Sequence, residues 1–239
     1  MNRNNIDPSQ ILYEDNHLII INKRPGEIVQ GDRTGDEPLS EKVKRYIKEK
    51  YGKPGNVFLG VVHRLDRPTG GAVIFAKTSK ALERLNAMLR RHEIRKTYHA
   101  VTEGFPEPPE GSLHHYLRKN PRTNKSTAFP RPTEGAKEAI LHYKTLHKGD
   151  RYALLEVDLE TGRHHQIRAQ LAKKGHPIRG DLKYGARRSL PCGGIMLHAR
   201  RLAFVHPVRQ TPVQVTAPYP EGCDWEKFVK ENSGEQGDA

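Results

Sequence analysis

The chain has 239 residues and a formal net charge of +13, from 41 Lys and Arg against 28 Asp and Glu. This basic excess favours a polyanionic partner, and nucleic acid is the first candidate. No apolar run approaches the roughly 18 residues of a membrane span, and the polar N-terminus lacks the apolar core of a signal peptide. These features argue against membrane and secreted proteins and predict a cytoplasmic one.

Short strands joined by turns dominate the predicted secondary structure. Runs rich in β-branched and aromatic residues predict strands at 11–13, 18–22, 57–62, 72–76, 96–101, 139–146, 152–159, 195–205 and 213–216. Helical spacing predicts helices that begin at Pro38, after a cap at Thr78 or Ser79, at Arg163 and near Trp225. Adjacent strands joined by short turns predict an α+β fold, with a mixed, mainly antiparallel β-sheet and flanking helices and loops.

The sequence also predicts how the chain is divided into a domain and tails. We expect a flexible tail over residues 1–10, a single domain over residues 11–230 and a disordered tail over residues 231–239. The two cysteines, Cys192 and Cys223, form neither a CxxC pair nor a zinc spacing. We therefore expect both to be unpaired thiols in a reducing compartment.

Residues 106–135 differ in composition from the rest, since six prolines and a cluster of basic residues fall within them. Proline density argues against regular structure. Two interpretations remain open for this segment, an ordinary solvated loop and a basic arm that binds phosphates.

The turn that follows residues 57–62 concentrates several charged groups. Pro68 and the Gly70-Gly71 pair require a turn before the next strand. Asp66 stands in this turn between Arg64 and Arg67, and nearby positive charge favours an ionised carboxylate. An anionic carboxylate on a rigid turn can serve as a nucleophile or a base. The alternative is a surface turn whose Asp merely caps or pairs.

A second polar cluster covers residues 161–168. Arg168 falls at the edge of the predicted helix, where it can form a bidentate pair with a carboxylate; the alternative is a helix-surface charge. The neighbouring His164 and His165 suggest a metal site with His63 and Asp66. Adjacent residues of a helix point about 100° apart, so we expect no metal there.

These clusters belong to a longer series that resembles the RluA-type RNA pseudouridine synthases over roughly residues 11–220. The series departs from the usual pattern at Gly71, where Ser is common, and at His164, where Thr is common. The matching segments, in family order, are Ile11–Asp15, Asn22–Gly26, His63–Asp66 with Thr69–Gly71, Lys96–Tyr98, Thr161–Arg163 with His165–Arg168, Gly175–Ile178 with Gly180-Asp181 and Tyr184-Gly185, and Leu197–Ala199 with His206-Pro207.

The resemblance implies a role for each matching residue. Asp66 would be the catalytic aspartate and Arg168 would pair with it. Tyr98 would stack on the target uracil and could take part in proton transfer. Leu197 would pack against the base, and Arg64 would help fill the space that a flipped nucleotide leaves.

The resemblance also implies a fold around a central RNA-binding cleft and an enzyme that needs neither metal nor another cofactor. Its partner would be rRNA or tRNA, and we expect a monomer with no obligate protein partner and no membrane. Since about ten residues precede the first motif, the N-terminal RNA-binding domain of some relatives is expected to be absent. Two other classes remain as alternatives: a basic RNA-binding protein without catalysis, and a metal-dependent phosphohydrolase.

Overall fold

The structure is a computed structural model that describes residues 6–32 and 34–229. None of the helices in this part of the chain is long and apolar enough to cross a membrane. Its strands and α-helices are, in chain order, β1 (Ile11–Glu14), β2 (Leu18–Lys23), α1 (Leu39–Lys50), β3 (Gly60–Val61), β4 (Gly70–Ala76), α2 (Ser79–Arg90), β5 (Arg95–Glu103), β6 (Glu110–Asn120), β7 (Lys125–Phe129), β8 (Lys137–Lys148), β9 (Tyr152–Leu159), α3 (Gln166–Lys173), β10 (Leu197–Val205), β11 (Pro212–Thr216) and α4 (Glu226–Val229).

The chain divides into two compact units. Among the described residues, the first unit comprises residues 6–32, 34–95 and 199–218, and the second comprises residues 96–198 and 219–229. Two such units can belong to one catalytic domain, so the single domain expected over residues 11–230 stays a prediction.

The first unit is built on antiparallel strands. β2 pairs with both β1 and β4, β3 pairs with β4, and β11 pairs with β10. One face of β2 and β4, including Leu18, Ile20 and Ile74, packs with Leu85 of α2 in a buried apolar cluster. Burial of this apolar surface stabilises the unit and holds the ends of β2 and β4 in place.

Local sequence explains where the helices of this unit begin. The side chain of Thr78 accepts a hydrogen bond from the Ala81 amide at 3.2 Å, which confirms the predicted cap of α2. Pro38 stands at the N-cap of α1 instead of inside the helix, where its missing amide costs no helical hydrogen bond. The predicted strand over 57–62 is wrong for residues 57–59 and for Val62, since only Gly60 and Val61 pair with β4.

The second unit is a five-strand antiparallel arrangement in the order β5-β9-β8-β6-β7. Helix α3 lies on β6, β7 and β8, because Ala169 packs in a cluster with Leu117 and Ala128. The amide of Gln170, inside α3, donates to the backbone oxygens of Leu113 and Ala139 at 2.9 and 3.1 Å. These contacts fix α3, and with it the motif that α3 carries.

Several sequence-based expectations need correction. Residues 106–135 are largely regular, because β6 and β7 form a hairpin. The helix expected from Arg163 begins three residues later, at Gln166. For residues 6–10 the prediction of a flexible tail is wrong, since Ile6 and Gln10 are buried. Residues 1–5 and the tail predicted over 231–239 lie outside the described residues.

The cysteines were also predicted wrongly. Cys192 and Cys223 form a disulfide, with their Cα atoms 5.5 Å apart. They are 31 positions apart in the sequence, so their proximity is a product of the tertiary fold.

The fold class itself is confirmed. Short helices flank mainly antiparallel strands in an α+β arrangement.

Candidate active site

The Asp66 turn is held by backbone contacts on both sides. Asp66 is half-buried between β3 and β4, and its carbonyl accepts a hydrogen bond from the Thr69 amide at 3.0 Å. The next carbonyl, that of Arg67, accepts from the Gly26 amide at 2.8 Å. The His63 ring accepts from the Ile74 amide at 3.1 Å. The turn is therefore fixed to β4 and to the turn that follows β2.

A buried lysine lies beneath this turn. Lys23 is 1% exposed, and its Nζ donates to the carbonyls of Arg24, Glu27 and Arg67 at 3.0, 2.8 and 3.1 Å. Burial lowers the pKa of Lys23 to about 7, against the opposing effect of the negative charges on Glu27 and Asp66. Only the protonated amine has three N–H groups for three carbonyls. In its protonated form, Lys23 therefore braces the turn and brings positive charge close to Asp66.

The structure also shows the surroundings of the two arginines that stand near Asp66 in the sequence. Arg67 forms an ion pair with Asp36, and Arg64 is exposed. The cation that the structure packs under the turn is Lys23, which sequence reasoning did not single out. The signal in the sequence was the position of Lys23 just beyond the apolar run at residues 18–21. The structure shows that this run is buried.

Immediately after the turn, β4 comes very close to β10. Gly71 has a φ of +117°, and a Cβ atom at this position would lie 2.4 Å from the carbonyl oxygen of Ala199. Glycine is therefore required here both by the backbone conformation and by the space.

In the second unit, Arg168 is buried in α3 and paired with an acid. Its side chain is 5% exposed; Nε donates to Oδ2 of Asp181 at 2.6 Å and Nη2 donates to Oδ1 at 2.9 Å. The ring of Tyr184 lies 5.0 Å from its guanidinium carbon. This burial excludes the alternative of a helix-surface charge. The two parallel hydrogen bonds fix the plane of the guanidinium.

The adjacent histidines, His164 and His165, stand at the start of α3, the helix that carries Arg168. His165 stands in the left-handed conformation at the start of α3, with a φ of 54°, and its ring stacks on that of His164 at 3.8 Å. Burial, together with the positive charge of Arg168, lowers the pKa of His165 to about 2. His165 is therefore neutral at physiological pH. Among the described residues, no group of three or more His, Cys, Asp or Glu side chains is placed to hold a metal ion.

The other predicted site residues lie on separate elements of the second unit. Tyr98 is in β5 opposite Val157 of β9, with 7% of its surface exposed. Leu197 is buried at the first position of β10. Tyr98, Leu197 and Arg168 thus share the second unit, whereas Arg64 and Asp66 belong to the first. The pairing of Arg168 with Asp66 stays a prediction.

Sequence reasoning also missed Asp181 as a site residue. It stands in the loop after α3, and its carboxylate is 1% exposed. The only sequence signal was its place beside Gly180 in a family motif. A carboxylate in a glycine turn is usually solvated, so its burial could not be predicted from neighbours in the chain.

Comparison with known proteins gives a consistent result. A family model described as RNA pseudouridylate synthase matches residues 17–173. The chain is 32% identical over 240 residues to tRNA pseudouridine synthase C of Vibrio cholerae, covering 93% of this chain and 95% of that protein. It is 33% identical over 240 residues to ribosomal large subunit pseudouridine synthase D of Xylella fastidiosa, covering 95% and 71%.

A third relative is an uncharacterized RNA pseudouridine synthase of Synechocystis, 34% identical over 216 residues, which cover 89% of this chain and 66% of that relative. Among solved structures, human RNA pseudouridylate synthase domain containing 4 matches with a TM-score of 0.74 at 24% identity, covering 88% of both chains. That likeness supports the fold. The matched segment contains both polar clusters of the sequence, and the chain belongs to the RluA-type family of RNA pseudouridine synthases.

Proposed function

We propose that this protein converts specific uridines of structured RNA, in rRNA or tRNA, to pseudouridine. The observation that carries the proposal is the family match over residues 17–173, which includes Asp66, Tyr98 and Arg168. The names of the relatives from Vibrio cholerae and Xylella fastidiosa supply the two RNA classes. The proposal includes a monomer in the cytoplasm that needs no metal or other cofactor.

The reaction is an isomerisation. The N-glycosidic bond of uridine breaks, the base turns, and a carbon–carbon bond joins base to sugar again, so nothing is oxidised and no water is consumed. Asp66 supplies a carboxylate that attacks the nucleotide or removes a sugar proton. Arg168 pairs with Asp66 and orients it, while Asp181 fixes the other edge of the guanidinium.

The target base must leave its stack before Asp66 can reach it, at a cost of a few kcal/mol. Stacking of the uracil on the Tyr98 ring offsets part of this cost. Leu197 packs against the flipped base, and Arg64, exposed two residues before Asp66 in the chain, helps fill the space left in the RNA.

The test is incubation of the purified protein with uridine-containing RNA in the presence of a chelator, followed by nucleoside analysis. We expect pseudouridine from the wild-type protein and none from Asp66→Asn, which keeps the shape of the side chain and removes its charge. RNA affinity of the variant should match that of the wild type. Near-normal turnover by Asp66→Asn would falsify the assignment of this residue.

The same experiment separates the alternatives. RNA binding without any product would favour a non-catalytic RNA-binding protein, and loss of activity with the chelator would favour a metal enzyme. Mapping the pseudouridines that disappear from cellular RNA when the gene is deleted identifies the substrate.

A further inference from the structure

The far end of the β6–β7 hairpin is an open, positively charged surface. This surface contains an open hollow of about 410 Å³. The hollow is lined by Arg118, Lys119, Asn120, Pro121, Arg122 and Thr127. The hollow is shaped by the turn itself, because Oδ1 of Asn120 accepts hydrogen bonds from the amides of Arg122 and Thr123 at 2.9 and 3.3 Å.

In the part of the chain that the structure describes, neighbouring acids do not neutralise the cations of this surface. Within residues 6–32 and 34–229, no carboxylate pairs with Arg118, Lys119 or Arg122, and all three side chains are exposed. Arg118 donates a hydrogen bond to the backbone oxygen of Glu134 at 3.2 Å. Three like charges on one hairpin end repel each other, and an anionic ligand would relieve that repulsion.

Aromatic rings lie next to Arg118. Tyr116 is two residues before Arg118 on β6 and therefore on the same face, and it pairs with Phe129 of β7. The guanidinium of Arg118 lies 5.0 Å from the Phe129 ring. Rings beside cations suit an RNA strand, whose bases stack while its phosphates pair with Arg and Lys. An acidic peptide would use the charges alone.

The hairpin is rigidly fixed to the segment that holds Asp181. The Ser126 amide donates to the hydroxyl of Tyr184 at 2.8 Å. Nζ of Lys183 donates to the carbonyls of Thr123 and Asn124 at 3.3 and 3.2 Å. A phosphate on the hairpin end is therefore held at a fixed position relative to the Arg168–Asp181 pair.

We propose that the end of the β6–β7 hairpin binds backbone phosphates of the RNA strand. The proposal rests on the proposed function and adds the surface that holds the substrate. Each neutralised phosphate of a single strand contributes about 0.7 to the slope of log affinity against log salt.

The test measures the affinity of a fluorescein-labelled, 20-nucleotide single-stranded RNA of mixed sequence at a series of salt concentrations. The test variant is R118Q/K119Q/R122Q. The matched control, K48Q/K53Q/R90Q, removes three exposed charges from the first unit. We expect the hairpin variant to bind at least about tenfold more weakly at low salt, with a salt slope reduced by about 1 to 2. The control should stay within about twofold of the wild type.

Equal losses in both variants would overturn the proposal, because overall charge would then account for binding. Competition by polyglutamate as strong as that by unlabelled RNA would also overturn it, since any polyanion would then suffice. Thermal melting checks the fold of the triple variant. If it melts early, Arg122→Gln alone, in the exposed turn, must still weaken binding about twofold or more.

RNA binding is measured separately from turnover, so the two proposals fail in different ways. A wild-type protein that makes no pseudouridine refutes the proposed function, whereas unchanged RNA binding by the hairpin variant refutes this surface.

Discussion

Arg168 and Asp181 form a bidentate ion pair inside the second unit, with side chains 5% and 1% exposed. Neither group has free access to water, so the ion pair replaces part of the solvation that each group loses on burial. The pair leaves the guanidinium with a fixed plane. An arginine held in this way can present its remaining N–H groups to a second carboxylate in one direction only.

Replacing Asp181 by Asn tests the importance of this pair. We expect kcat to fall at least about tenfold while KM changes little, because in the proposed mechanism the guanidinium of Arg168 orients Asp66 and would lose its position. Breaking a buried pair should also lower the free energy of unfolding by about 3–5 kcal/mol. Single-turnover kinetics and chemical denaturation measure the two effects.

The control for this variant is Asp150→Asn, a change in the exposed turn between β8 and β9. Asp181→Glu, which keeps the charge, should recover part of kcat. A lower stability with unchanged kcat in Asp181→Asn would limit the residue to a structural role.

Tyr98→Phe keeps the aromatic ring and removes the hydroxyl, so it separates stacking from proton transfer. We expect the Phe variant to bind RNA like the wild type and to lose about 10² or more in turnover, since general acid–base groups contribute 10²–10⁴. Tyr143→Phe is the matched control, because Tyr98 and Tyr143 both pair with Val157 from opposite sides of β9. Full turnover in Tyr98→Phe would restrict Tyr98 to stacking.

Gly71→Ala probes the close approach of β4 and β10. The new Cβ would meet the Ala199 backbone at 2.4 Å on a residue with positive φ, and we expect a loss of about 2–4 kcal/mol in unfolding free energy. Gly55→Ala is the control, because no atom lies within 4 Å of its Cβ position. Equal denaturation midpoints for the two variants would contradict the contact.

Glu14→Gln should change the acid stability of the first unit. Burial raises the pKa of Glu14, but hydrogen bonds from Lys50, Lys77, Tyr46 and Tyr51 outweigh it and hold the pKa at about 2. A lowered pKa in the folded state contributes stability above the unfolded value of 4.5, and this contribution is lost as the pH falls towards 2.

Glu14→Gln should therefore cost on the order of 3 kcal/mol near neutral pH and progressively less as the pH falls below about 4.5. Chemical denaturation at a series of pH values measures the difference from the wild type. Glu83→Gln, at an exposed position of α2, should show no difference at any of them. A constant deficit for Glu14→Gln across the series would contradict the pKa argument.

Local pattern was sufficient for many elements of this chain. The β-branched runs gave β2, β4 and β9 close to their observed bounds, and the Thr78 cap placed the start of α2. These features depend on backbone preferences and on side chains close in sequence. The order of short motifs was likewise enough to indicate the family.

The composition of residues 106–135 led to a wrong prediction, because the positions of the prolines matter more than their number. Its six prolines lie outside β6 and β7, at positions 106, 108 and 109 before the hairpin, 121 in its turn, and 130 and 132 after it. A proline in the turn or beyond a strand removes no ladder hydrogen bond. The prolines thus lie at the ends of two strands. Their density was wrongly interpreted as evidence against regular structure.

The sequence by itself determined the α+β class, most strand positions and the residue types of the candidate site. Only the tertiary structure decided that Lys23 lies buried under the Asp66 turn, that Asp181 binds Arg168, and that Cys192 meets Cys223. Each of these depends on the burial or the contact of residues brought together by packing. Neighbours in the chain carry no information about which distant group will replace the water that a buried charge loses.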